Sequence, residues 1–246
     1  MIHLYREGKL VVIEFSKYPI NSMDLQFLKE FYYLLLKIDQ NPNIFGVVLR
    51  SKINNIFSSG LDLRSINSSY IQVTRINLVR TVRMVQKIVK LILTSNKIFL
   101  ASISGAVIGS AVSIVMACDF RFASAATWFW IPDPQYGGLL ADGGLEVIKK
   151  VCGIENARKI CLTNERIICQ TAKEMNMIST IFREEVLNEH SLSFLHKLST
   201  YSKQTLVNTK NLINNSIHVH FKIKHIVKVV FSKEMTERLN RYIRSN

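Results

Sequence analysis

The stretch Ile98-Phe-Leu-Ala-Ser-Ile-Ser-Gly-Ala-Val-Ile-Gly-Ser-Ala-Val-Ser-Ile-Val-Met-Ala117 decides the fold class. It opens on Ile98–Ile103, an apolar run of strand length. Gly105 and Gly109 then break it, and Ser110–Ala117 reads as a helix buried on most sides. A buried strand, a small-residue loop and a buried helix in that order form the repeating unit of a parallel sheet with right-handed crossovers. The same unit stands upstream. Gly46–Arg50 is a short buried strand, Phe57-Ser-Ser-Gly-Leu-Asp62 a second small-residue loop, and Ile71–Thr94 a long amphipathic helix.

Further out, Ile2–Tyr5 and Lys9–Phe15 read as a hairpin across Glu7-Gly8. Leu25, Phe27, Leu28, Phe31, Tyr32, Leu35 and Ile38 recur at helical steps and predict a helix over Asp24–Gln40, stopped by Asn41-Pro42. Downstream, Asp119–Ala123 and Thr127–Trp130 are expected to be short strands. Helices are then expected over Gly144–Val151, Ile154–Thr163, Gln170–Met175, Glu184–Thr200 and Gln204–Ser216, with one last helix reaching Tyr242. The organisation predicted is an α/β core over residues 1–183 with a C-terminal helical region over 184–246. No internal repeat is evident.

With 246 residues, 48% of them hydrophobic, the chain has ample material for one core. Cys118, Cys152, Cys161 and Cys169 form no Cys-x-x-Cys pair and no apolar leader precedes the first strand, which points to a reduced, cytoplasm-like compartment. Apolar runs fall well short of the roughly 20 residues that cross a bilayer. The formal charge of +14 invites an acidic partner. Its clusters, Arg75/Arg80/Arg83/Lys87/Lys90 and Lys222/Lys224/Lys228/Lys233, lack the interleaved aromatic residues of single-strand binders, so nucleic acid is not the expected partner. His218-x-His220 offers no third ligand, and no metal is expected.

Chemistry concentrates in three loops. Trp128-Phe-Trp-Ile-Pro-Asp-Pro-Gln-Tyr-Gly-Gly-Leu-Leu-Ala-Asp-Gly-Gly144 holds two acids, two prolines and four glycines. Its prolines fix the approach to Asp133, a candidate acid/base on a rigid turn. The other two loops lead from strands into helices, where free main-chain N–H groups bind phosphates or developing oxyanions. Ser59 and Ser110 are read as the paired donors.

Pro19-Ile-Asn-Ser-Met23, Phe57-Ser-Ser-Gly-Leu-Asp-Leu63, Gly105-Ala-Val-Ile-Gly-Ser110 with Ala117-Cys-Asp-Phe-Arg121, and Pro132-Asp-Pro-Gln-Tyr-Gly137 come in the order and spacing of the crotonase family. From about Lys9 to Phe182 the chain resembles an enoyl-CoA hydratase/isomerase, closest in motif to the double-bond isomerases. The resemblance implies a ββα spiral and an oxyanion hole from Ser59 and Ser110, with Ser110 standing where glycine is usual. It places the substrate along Ser58, Ser59, Gly60, Leu61, Gly109, Ser110 and Trp130. Of the two glutamate positions of hydratases, one is Ser113 here and the other Asp133. Asp142 stands near an aspartate of the dienoyl-CoA isomerases, but its residue type and place before the helix from Gly144 favour an N-cap.

The expected activity is a shift of a β,γ double bond into conjugation on a thioester of coenzyme A or an acyl carrier protein, with coenzyme A present only as part of the substrate. The alternatives are a biosynthetic relative on carrier-bound thioesters or a silent RNA-binding or scaffold member. A homotrimer or hexamer is implied, the tail covering a neighbouring subunit's site through an exposed stripe that includes Ile226, Val229 and Val230.

Overall fold

A computed structural model of the chain describes residues 1–66, 71–219 and 223–245. Strand β1 (Ile2–Glu7) turns at Gly8, φ +60°, into antiparallel β2 (Leu10–Phe15), as the hairpin reading expects. Helix α1 (Leu25–Gln40) is capped by the Asp24 carboxylate, which accepts the Phe27 N–H at 2.7 Å. A ββα unit then repeats. β3 (Gly46–Ser51) and β4 (Ile56–Ser58) precede α2 (Leu63–Ile66) and α3 (Ile71–Thr94), and β5 (Ile98–Ile103) and β6 (Ala106–Ile108) precede α4 (Ser110–Ala117). β7 (Phe120–Ser124) and β8 (Trp128–Trp130) lead through a 3₁₀ turn at Asp133–Tyr136 into α5 (Gly144–Leu162). β9 (Ile167–Ile168), α6 (Cys169–Glu174), β10 (Thr180–Phe182), α7 (Glu184–Leu198), α8 (Lys203–Asn214), α9 (Ile223–Val230) and α10 (Lys233–Ser245) complete the described chain.

Each unit sends one strand to each of two sheets. The larger runs β1-β2-β3-β5-β7-β10 and is parallel from β2 onward; the smaller runs β4-β6-β8-β9 with only β9 antiparallel. The smaller sheet corrects the sequence reading at Ile56–Ser58 and Ala106–Ile108, taken there as loop. Three residues are too few to display a strand's period of two. The larger sheet is covered on both faces, by α1, α3 and α4 through residues such as Phe31, Val85 and Val115, and by α7 through Leu187 and Leu195. That double burial is why β2, β3 and β5 read as unbroken apolar runs. Lys210 on α8 anchors the periphery by donating to Asp119 Oδ2 at 2.9 Å, and Asp119 also accepts the Phe99 N–H.

The C-terminal helices depart from expectation twice. The single last helix is two, because Ser232 starts a new one: its hydroxyl oxygen accepts the Met235 N–H at 3.1 Å. The apolar stripe of α9 also turns inward. Ile226 and Val230 are buried against Leu78 and Val82 of α3 and Met235 of α10, so this part of the stripe, expected to be exposed, is covered within its own chain. His220 and Lys222 of the sequence reading lie outside the described residues.

Candidate active site

Strands β4 and β6 are parallel neighbours, so the turns leaving them meet at one edge of the smaller sheet. In the first turn the Ser59 N–H donates to the Ile20 carbonyl at 3.0 Å, the Asp62 N–H to the Met23 carbonyl at 3.0 Å, and the Gly60 N–H to the Ser58 hydroxyl at 3.1 Å. The Leu61 N–H has no partner among the described residues. Ser59 is thereby corrected as an oxyanion donor: its hydrogen is already committed, and the free amide belongs to Leu61. No side-chain signal could have revealed this, because the role is a main-chain one.

In the second turn Ser110, although it stands where glycine is usual, does not itself adopt a left-handed conformation. The left-handed conformation falls on Gly109, φ +56°, whose N–H donates to the Trp130 carbonyl at 2.8 Å. Ser110 is then simply the first residue of α4, with an N–H that no intrahelical carbonyl can reach. Gly60 brings the two turns together. A Cβ there would lie 2.5 Å from the Ile108 carbonyl oxygen and 3.4 Å from the Ser110 nitrogen, so only glycine permits this approach.

Asp133 opens the 3₁₀ turn, which is held shut by the Gly138 N–H donating to the Asp133 carbonyl at 2.7 Å. Burial, followed by the nearby Asp142 carboxylate, raises its pKa to about 7. Asp133 is half-buried and lines a cavity. Asp142 is only 2% exposed, and burial raises its pKa as well. One of its oxygens, Oδ1, accepts the Ser113 hydroxyl at 2.7 Å and the Gly144 N–H at 3.1 Å; the other, Oδ2, has no hydrogen-bond partner among the described residues. The Ser110 hydroxyl lies close enough to favour the charged form without closing a bond to Oδ2. Asp142 therefore accepts the first N–H of α5 from one residue before the cap position, which is Gly143 and not Asp142 as the capping reading expects.

Leu61, Ser110, Asp133 and Asp142 all line one cavity of about 460 Å³. Ser59, Gly109 and Trp130 line it too, with the Trp130 indole N–H fixed by the Asn164 carbonyl at 3.1 Å. Ser58 and Gly60 are not on its wall: the Ser58 hydroxyl is fully buried and donates to the Asn21 carbonyl at 2.7 Å. The sequence reading missed the far wall, where Leu78 and Val82 of α3 meet Ile226, Val230 and Met235. Two free amides facing two carboxylates inside an apolar enclosure can hold a developing oxyanion and move a proton beside it. Among the described residues no cluster of three or more His, Cys, Asp or Glu side chains is placed to hold a metal ion. No helix among them is long and apolar enough to cross a membrane.

An α/β spiral of ββα units with a cavity at the edge of its smaller sheet is the architecture of the crotonase class. The fold matches that of human mitochondrial delta3-delta2-enoyl-CoA isomerase, with a TM-score of 0.86 at 17% identity over 99% of this chain and 97% of that one. It also matches an enoyl-CoA hydratase from Bacillus halodurans, with a TM-score of 0.87 at 20% identity over 98% and 99% of the two chains. The family model for enoyl-CoA hydratase/isomerase covers residues 6–237, and the chain belongs to that family. A peroxisomal Delta(3,5)-Delta(2,4)-dienoyl-CoA isomerase of Arabidopsis thaliana is 30% identical over 171 residues, 66% of this chain and 61% of its own length. A short-chain-enoyl-CoA hydratase of Clostridium acetobutylicum is 20% identical over 87% of this chain and 81% of its own.

Proposed function

We propose that this chain shifts a β,γ double bond of an acyl thioester into conjugation by proton transfer through a stabilised enolate. One observation carries the reading: the Leu61 and Ser110 amides, without a partner among the described residues, belong to residues that share a cavity with two carboxylates. The thioester oxygen accepts both N–H groups, which acidifies the α-proton. Asp133 takes that proton and returns it two carbons along the chain. A pKa of about 7 suits a group that must both accept and release a proton near neutrality. The chemistry needs no cofactor beyond the coenzyme A or phosphopantetheine arm of the substrate. Hydration is disfavoured because the place of a water-activating glutamate is held by Ser113, which is sealed from solvent and spends its hydroxyl on Asp142.

A second substrate is favoured by the free oxygen of Asp142. In a 3,5-dienoyl thioester the proton leaves C2 and arrives at C6, a span better served by two carboxylates than one. The relatives named as dienoyl-CoA isomerases agree with it. The homotrimer or hexamer belongs to the same reading and is measured by sedimentation. Compartment is open to the peroxisomal and mitochondrial settings those relatives' names carry, as well as the cytoplasm.

The test is a spectroscopic assay of conjugation on 3-enoyl-CoA, 3,5-dienoyl-CoA and the same acyl groups on a carrier protein, with the wild type and Asp133→Asn. Turnover lost in the variant supports the reading and the preferred substrate selects its form. Absence of turnover on all of them, with thioester still bound, refutes it in favour of a silent binding protein.

A further inference from the structure

Asp142 is held asymmetrically. Ser113 and Gly144 both donate to Oδ1, while Oδ2 is buried, without a hydrogen-bond partner among the described residues, and on a residue that lines the cavity. The contact is built into the packing of two helices. Ser113 lies on α4 and is 0% exposed, and the start of α5 presses on it so closely that a Cβ at Gly144 would fall 1.9 Å from the Ser113 hydroxyl oxygen. Glycine at 144 is therefore what allows the Ser113 hydroxyl and the Gly144 N–H to reach the same oxygen.

We propose that Ser113 is a positioning residue: its hydroxyl fixes the Asp142 carboxylate by one oxygen, so that the other is presented to the reacting acyl chain as a proton donor and acceptor. The proposal rests on the proton-shuttle reading above. Without the hydroxyl, the carboxylate loses one of its two anchors and can rotate to spread both oxygens between Gly144 and the cavity. It also loses a donor that favours its charged form. The other groups facing it are the Ser110 hydroxyl, which also favours its charged form and is kept in every variant, Asp133 on the 3₁₀ turn and the Cys161 thiol of α5, which burial holds up at about 12 and so keeps neutral. Asp62 and Arg64 line the same cavity.

The experiment compares wild type, Ser113→Ala, Ser113→Cys and Asp142→Asn. The steady-state readout is kcat and KM against pH on the preferred enoyl thioester. The second readout is carbon-13 NMR of aspartate carboxyl groups, the Asp142 signal being identified by its loss in Asp142→Asn. Ser113→Ala is expected to lower kcat roughly ten- to hundredfold with KM little changed, the loss of a hydrogen bond to a charged group. It is also expected to move the Asp142 titration upward. Ser113→Cys, which keeps the space filled and a weak donor in place, is expected to show the same changes at smaller size and serves if the alanine variant folds poorly. Unchanged kcat and an unmoved Asp142 titration in either variant overturn the proposal. Should the wild type turn over no enoyl thioester, the isomerase reading fails while the NMR comparison still decides whether Ser113 holds Asp142.

Discussion

Asp133 carries opposite consequences for activity and for stability. Its pKa near 7 makes the basic form dominant only above neutrality, so kcat/KM is expected to rise with pH through about 7. Asp133→Asn is expected to lose roughly a hundred- to ten-thousandfold in rate, measured in the conjugation assay. For stability the sign reverses. The folded value lies above the 3.8 of an ordinary aspartate, so the folded chain binds the proton more tightly, and the stabilisation present in acid is lost as pH rises through about 7. At about pH 8 the asparagine variant is therefore expected to be the more stable protein by about 1–2 kcal/mol in urea unfolding, the gap closing toward acid pH. The main-chain donors can be tested too, because Ser110 is the first residue of α4, a position that accepts proline. Ser110→Pro removes the N–H and is expected to cost about 10²–10³ in kcat, whereas Ser110→Ala keeps the N–H and most of the rate.

At the scale of elements, the site exists because α4, α5 and the 3₁₀ turn are held at fixed distances by small residues. Gly144→Ala puts a methyl group into Ser113, and overpacking of this kind is expected to cost about 1–3 kcal/mol by urea unfolding while separating Ser113 from Asp142. α10 closes over the same turn: a Cβ at Gly137 would lie 3.2 Å from Met235 Cα, and Arg238 donates to the Gln135 carbonyl at 3.3 Å. The cap that starts α10 is therefore linked to the cavity. Ser232→Ala is expected to cost about 1 kcal/mol of stability and to raise KM for the acyl thioester more than it lowers kcat.

For the whole molecule, a charge of +14 would draw in the anionic thioester proposed as substrate. Arg80, Arg83, Lys87 and Lys90 emerge together on the exposed side of α3. Binding of a coenzyme A or carrier-protein thioester is expected to weaken as salt is raised, seen as a rising KM at constant kcat, and more steeply for a carrier protein because its whole surface is acidic.

The sequence by itself determined the hairpin, the parallel α/β core and the family. Those features rest on side-chain type repeated at a period, or on glycine and proline at fixed spacing, as in the break at Gly153 that divides α5 where the two predicted helices meet. It also placed Asp133 and Asp142, since a carboxylate in a rigid glycine-rich loop is visible as a residue. Only the tertiary structure decided that Leu61 and not Ser59 offers the free amide, because hydrogen-bond partners such as the Ile20 carbonyl come from distant chain. It alone joined Ser113 to Asp142, 29 residues apart. It alone turned Ile226 and Val230 onto their own cavity, because an apolar stripe specifies that it must be covered and leaves the choice of cover to the packing of the chain.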